Sequence, residues 1–203
     1  MTTSGAAGKV GAMLFNLPNM LTLSRIVAIP LVVACFWLDR GWAQWFSMAL
    51  FVAAAVTDWF DGYFARRYHQ ISRFGRFLDP IADKLLVAAA LVMLVDNSTL
   101  AGLNVLAALI ILAREILVSG LREFLAELRV GLPVSALAKW KTAVQMVAIA
   151  ALLVGDAAAH WVTQAGIVLI WIAAALTLIT GYDYLRTGLR HMAEDPPTTG
   201  GQK

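Results

Sequence analysis

The chain has 203 residues, of which 14% are charged and 60% hydrophobic, with a net charge of +3 and a mean hydropathy of +0.73. A soluble domain carries about 25% charged residues, so this composition excludes an ordinary soluble protein, whereas a bilayer can take up the apolar surface. The basic balance does not point to nucleic acid as a partner. The Lys and Arg residues fall between apolar runs, where the positive-inside charges of a membrane protein belong. Cys35 is the single cysteine, so no intramolecular disulfide is possible, and His69, His160 and His191 lack zinc-ligand spacing.

In chain order, Met1–Gly11 is small and polar without a signal-peptide pattern, so the first apolar run is expected to stay in the membrane. Lys9–Leu17 reads as a short interfacial segment, and Pro18 suits the first turn of a following helix. A spanning helix needs about 20 mostly apolar residues. Six runs qualify, at roughly 20–38, 42–66, 78–95, 101–128, 134–154 and 161–186. The fourth and sixth exceed what a bilayer needs and are expected to project into the cytoplasm. No strand alternation appears. The expected fold is all-α, a polytopic membrane protein of six transmembrane helices preceded by a short interfacial segment. The expected divisions are an N-terminal segment over 1–17, a six-helix domain over 18–190 and a cytoplasmic tail over 191–203, whose Pro/Thr/Gly-rich end reads as disordered.

Six spans put both termini on one side. On that side lie Arg66, Arg67, Arg73 and Arg76 between the second and third spans, with Lys84 just inside the third. Arg122, Arg129, Lys139 and Lys141 surround the next such loop, and Arg186, Arg190 and Lys203 lie near the C-terminus. The opposite loops hold Asp39, Asp96 and Asp156 with Arg40 as their only basic residue. The asymmetry predicts cytoplasmic termini and cytoplasmic basic loops.

Asp58 and Asp61 end the second span, three apart, and Asp79 and Asp83 open the third, four apart. Each pair shares one helix face. The short loop between the spans predicts antiparallel neighbours, with four carboxylates converging in one cleft. Such a cluster needs cations, and hard oxygen ligands suit Mg²⁺ or Mn²⁺. Two ions sharing bridging carboxylates would suit chemistry on a phosphate ester or pyrophosphate. The plainer explanation is that Asp79 and Asp83 favour a helix N-terminus while Asp58 and Asp61 pair with Arg66 and Arg67. Four aspartates at these spacings outweigh it, because ionisable residues in membrane segments are functional by default.

Asp58, Asp61, Gly62, Ala65, Arg66, Gly75, Asp79 and Asp83 spell Asp-x2-Asp-Gly-x2-Ala-Arg-x8-Gly-x3-Asp-x3-Asp. This resembles the signature of the CDP-alcohol phosphatidyltransferases at all of its fixed positions. NLPNMLTLSR at 16–25, AREILVSGLREFLAEL at 113–128, VSALAKWKT at 134–142 and TGYDYLR at 180–186 look like segments of that family's bacterial phosphatidylglycerophosphate synthases. The resemblance implies attack of the 1-hydroxyl of glycerol 3-phosphate on CDP-diacylglycerol, giving phosphatidylglycerol phosphate and CMP. It implies a metal held by Asp58, Asp61, Asp79 and Asp83, with Asp83 also the general base. It further implies nucleotide contacts from Gly62, Arg66, Ser72 and Gly75, and from Asn19 and Thr22. A homodimer in a bacterial inner membrane is implied as well.

The acceptor's phosphate also needs a cationic pocket. Arg25, Arg114, Arg122, Lys139 and Lys141 are its candidates, with Ser135, Lys139 and Thr142 forming one polar stripe at i, i+4, i+7. Arg129, Arg186 and Arg190 read instead as snorkelling anchors. Rival readings are a family member with inositol phosphate, serine or phosphatidylglycerol as acceptor, a prenyltransferase, and a divalent-cation transporter. A transporter would carry its acids through the midplane, not at one end.

Overall fold

A computed structural model describes residues 17–38, 41–68, 73–127 and 136–193. These residues form six α-helices: α1 Leu17–Cys35, α2 Gly41–Tyr68, α3 Arg73–Asp96, α4 Asn104–Glu127, α5 Ala136–Val154 and α6 His160–Ala193. A 3-10 turn, Gly155–Ala157, follows α5. Each expected apolar run overlaps one helix, and no strand occurs among the described residues. Of the expected N-terminal interfacial segment only Leu17 is described, and the tail from Glu194 lies outside the described residues.

The apolar pattern accounts for these helices. Windows in Asn104–Ala126, Lys139–Ala157 and His160–Leu189 are long and apolar enough to cross a bilayer, while the apolar stretches Met20–Cys35 and Gly41–Thr57 are shorter. At about 1.5 Å per residue, α6 is about 51 Å long, well beyond the hydrocarbon thickness of about 30 Å. Leu31, Val92, Leu109, Ile116, Val147 and Val168 point outward. Outward apolar residues on an all-helical bundle are the surface of a polytopic membrane protein. Trp37, Trp42, Trp45 and Trp161 are also exposed, as belt residues would be.

All six helices contribute to one core, including Val32, Phe51, Leu91, Ile111, Ile149 and Ile170. Buried alanines such as Ala90, Ala107, Ala148 and Ala173 line it, and small residues allow close helix approach in membranes. α1 packs along both α2 and α3, α5 along α6, and α6 along α4. The expectation that α2 and α3 are direct neighbours is corrected here, because they touch each other only slightly. The short connection joins their ends, but α1 is the element that couples them.

Candidate active site

Asp79 and Asp83 stand four residues apart on α3, both half-buried. Because α3 begins at Arg73, no acid occupies its first turn. The two aspartates sit in its second and third turns, so helix-terminus preference does not explain them. The buried hydroxyl of Thr22 on α1 donates to Asp79 Oδ1. That bond satisfies a buried polar group and fixes one carboxylate against the helix that joins α2 to α3.

Asp58 and Asp61 are helical residues of α2, but their side chains, with those of Gly62, Arg66, Gly75 and Asn19, lie outside the described residues, and Ser72 lies outside altogether. The convergence of the four carboxylates therefore rests on sequence spacing. Among the described residues no group of three metal-ligating side chains gathers, and only two of the four aspartates are in that set. Two half-buried carboxylates on one helix face offer hard oxygen donors, which fit Mg²⁺ or Mn²⁺.

A cationic cluster lies beside this pair. Lys141 on α5 is buried and forms an ion pair with Glu115 Oε1 on α4. Arg114 Nη1 donates to the same oxygen at 3.3 Å, and Arg114 Nη2 donates to Thr180 Oγ1 on α6 at 3.1 Å. The Arg114 and Arg122 guanidinium carbons each lie 5.7 Å from the centre of the Tyr184 ring, within cation–π range. Lys84, next to Asp83 on α3, donates to Ser119 on α4, so the cluster adjoins the α3 aspartates. Arg114, Glu115, Ser119 and Arg122 fall within one side of α4 by helical rotation. Two cations, Arg114 and Lys141, thus share one glutamate, and Arg122 joins Arg114 at the Tyr184 ring.

Several sequence expectations change here. The polar stripe expected through Lys139 and Thr142 faces outward, since both are exposed, while Lys141 and Gln145 turn inward. Both faces of α5 are apolar enough to pack, and the charge of Glu115 favours the Lys141 side. Arg25 on α1 is 1% exposed, inside the bundle. Thr180 and Tyr184 were assigned no role from sequence. Their signal was a polar stripe at i, i+3, i+7, Thr177, Thr180 and Tyr184, on an otherwise apolar helix. A cavity of about 640 Å³ lies at the opposite end of the bundle, lined by Gln44, Ser47, Asn97 and Asp156 among others. It is remote from this chemistry.

A polytopic helical bundle with carboxylates and a cationic cluster at one end has the build of a membrane enzyme for anionic substrates. The chain belongs to the CDP-alcohol phosphatidyltransferase family, whose model matches residues 15–179. It is therefore a transferase. A Rickettsia bellii protein named CDP-diacylglycerol–glycerol-3-phosphate 3-phosphatidyltransferase is 48% identical to it over 173 residues, covering 84% of this chain and 94% of the relative. Proteins of the same name from Salmonella choleraesuis, 48% identical over 85% of this chain and 94% of the relative, and from Cereibacter sphaeroides, 42% identical over 89% and 99%, are also similar.

Proposed function

We propose that this enzyme transfers the phosphatidyl group of CDP-diacylglycerol to the 1-hydroxyl of glycerol 3-phosphate. The products are phosphatidylglycerol phosphate and CMP. The observation that carries the acceptor is the pair Arg114 and Lys141 on Glu115, with Arg122 beside Arg114 at the Tyr184 ring. These cations offer positive charge for the phosphate of a small anionic acceptor. The names of the similar proteins support the same acceptor.

In this reading Asp83 accepts the proton of the attacking hydroxyl, the glycerol oxygen bonds to the phosphatidyl phosphorus, and the pyrophosphate bond breaks to release CMP. Asp58, Asp61, Asp79 and Asp83 are the residues that would hold Mg²⁺ or Mn²⁺. Two such ions would neutralise the donor's pyrophosphate and the departing CMP. Thr22 orients Asp79 through its hydrogen bond. Gly62, Arg66, Ser72, Gly75 and Asn19 belong to the cytidine side of the site, and Arg25 to the acceptor side. Six crossings with a homodimeric assembly complete the picture. The basic loops on the aspartate side, against a single Arg40 in the opposite loops, support a cytoplasmic site in a bacterial inner membrane.

The test is release of CMP by purified enzyme given CDP-diacylglycerol and Mg²⁺ with glycerol 3-phosphate, inositol phosphate or serine, with and without chelator. Chelator-sensitive release with glycerol 3-phosphate alone is expected. Release with another acceptor would keep the family and overturn the acceptor. Lys141→Met should raise the KM for glycerol 3-phosphate and leave that for the lipid donor nearly unchanged, while Lys139→Ala on the outward face of α5 should leave both near wild type. An equal effect of Lys141→Met on both would remove Lys141 from the acceptor site.

A further inference from the structure

α6 carries three glycines that each admit a neighbouring side chain too close for a Cβ. A Cβ on Gly166 would stand 2.8 Å from Leu152 Cγ, and one on Gly188 would stand 2.8 Å from Leu121 Cδ1. Both are apolar helix contacts. Gly181 differs, because its added Cβ would stand 3.0 Å from Arg114 Cγ and 3.5 Å from Arg114 Nε. Only there does a missing side chain on α6 make room for a charged group of the cationic cluster.

Arg114 has little freedom to yield. Its side chain is 9% exposed, Nη2 bonds Thr180, Nη1 bonds Glu115, and Tyr184 lies against the guanidinium. Among the buried groups without a hydrogen-bond partner in the protein are Arg114 Nε and the Tyr184 hydroxyl. Buried polar groups are nearly always paired, and exceptions call for an explanation such as a ligand. Both groups can donate, and a phosphate accepts such bonds strongly from a guanidinium.

We propose that Gly181 is a positioning residue for recognition of the acceptor's phosphomonoester. It lets Arg114 lie against α6, where Thr180 and Tyr184 hold the guanidinium with Nε directed to the phosphate beside the Tyr184 hydroxyl. The proposal rests on the acceptor reading above and adds to it the wall of the pocket, which is built from Thr180, Gly181 and Tyr184. A methyl group at position 181 displaces the guanidinium from its bonds, so the loss falls on acceptor binding. The carboxylate chemistry on α3 is untouched.

The experiment compares Gly181→Ala, Gly166→Ala and Gly188→Ala, using purified enzyme with CDP-diacylglycerol and glycerol 3-phosphate. Gly181→Ala should raise the acceptor KM by about tenfold, the scale of one lost hydrogen bond to a charged group, with kcat and the lipid-donor KM near wild type. The two control variants insert methyl groups even more tightly, 2.8 Å from leucine carbons against 3.0 Å at Gly181, and should keep the wild-type acceptor KM, even if their melting temperatures fall. Tyr184→Phe keeps the ring and removes the hydroxyl, so it should raise the same KM without a steric insertion. It tests the pocket even if Gly181→Ala does not fold. An unchanged acceptor KM in Gly181→Ala, or the same rise in all three glycine variants, overturns the proposal. In the Tyr184→Phe arm, a wild-type KM does so. Wild-type enzyme inactive with glycerol 3-phosphate would instead overturn the acceptor reading itself, a separate result.

Discussion

Replacing Asp83 with asparagine is expected to lower turnover with glycerol 3-phosphate by a factor of about 10²–10⁴, the range lost when a positioned general base is removed. Asparagine has nearly the shape of aspartate and keeps a carbonyl oxygen, but it cannot take a proton from the acceptor's hydroxyl. Asp83 is half-buried on α3, next to Lys84, which donates to Ser119 on α4. In the proposed mechanism it lies where donor phosphorus and acceptor hydroxyl meet. Asp79→Asn provides the contrast, because Asp79 is held by Thr22 and is assigned only to metal binding. Raising Mg²⁺ should recover part of the Asp79→Asn activity and little of the Asp83→Asn activity. Asp83→Asn turnover near wild type, or full recovery with added Mg²⁺, would remove Asp83 from the role of base.

How much of this could be read from the sequence follows the kind of information each feature carries. Helix identity was legible because an apolar run long enough to span a bilayer has few other outcomes. The helix ends were less so. α3 begins at Arg73, ahead of the expected 78, and α6 continues to Ala193, beyond the expected 186. Hydropathy marks where the bilayer lies, whereas backbone hydrogen bonding continues through polar turns such as RFGRF. The aspartates stood out because eight residue types at fixed gaps spell one signature, although only Asp79 and Asp83 have described side chains. The lateral order of the helices was not, since a short connection joins helix ends without making the helices neighbours. The inward face of α5 was also hidden. Lys139 and Lys141 look equivalent in sequence, and what separates them is Glu115, 26 residues away from Lys141. The α6 wall was hardest to see, because Thr180, Gly181 and Tyr184 each resemble ordinary members of a membrane helix.

Removing the glutamate from that cluster should have the largest effect on stability. Lys141 has 5% of its side chain exposed and Arg114 has 9%, and both share Glu115 Oε1. Glu115→Ala leaves two buried cations facing each other without that counter-charge, and breaking one side of a buried pair costs about 3 kcal/mol or more. Glu115 keeps 21% of its side chain exposed, so a value at the low end is expected. The measurement is thermal unfolding in detergent, and a melting temperature within error of wild type would show that the pair does not hold the cluster together. Glu115→Gln combined with Lys141→Met should destabilise less than the sum of the single changes, because the second change removes the charge that the first leaves unpaired. Adding inorganic phosphate gives a further test. If the cluster binds the acceptor through its phosphate, phosphate will supply the missing negative charge and stabilise Glu115→Ala more than wild type, by mass action on the folded state. Equal stabilisation of both proteins would leave the ion pair as structure alone and count against an anion site between α4, α5 and α6.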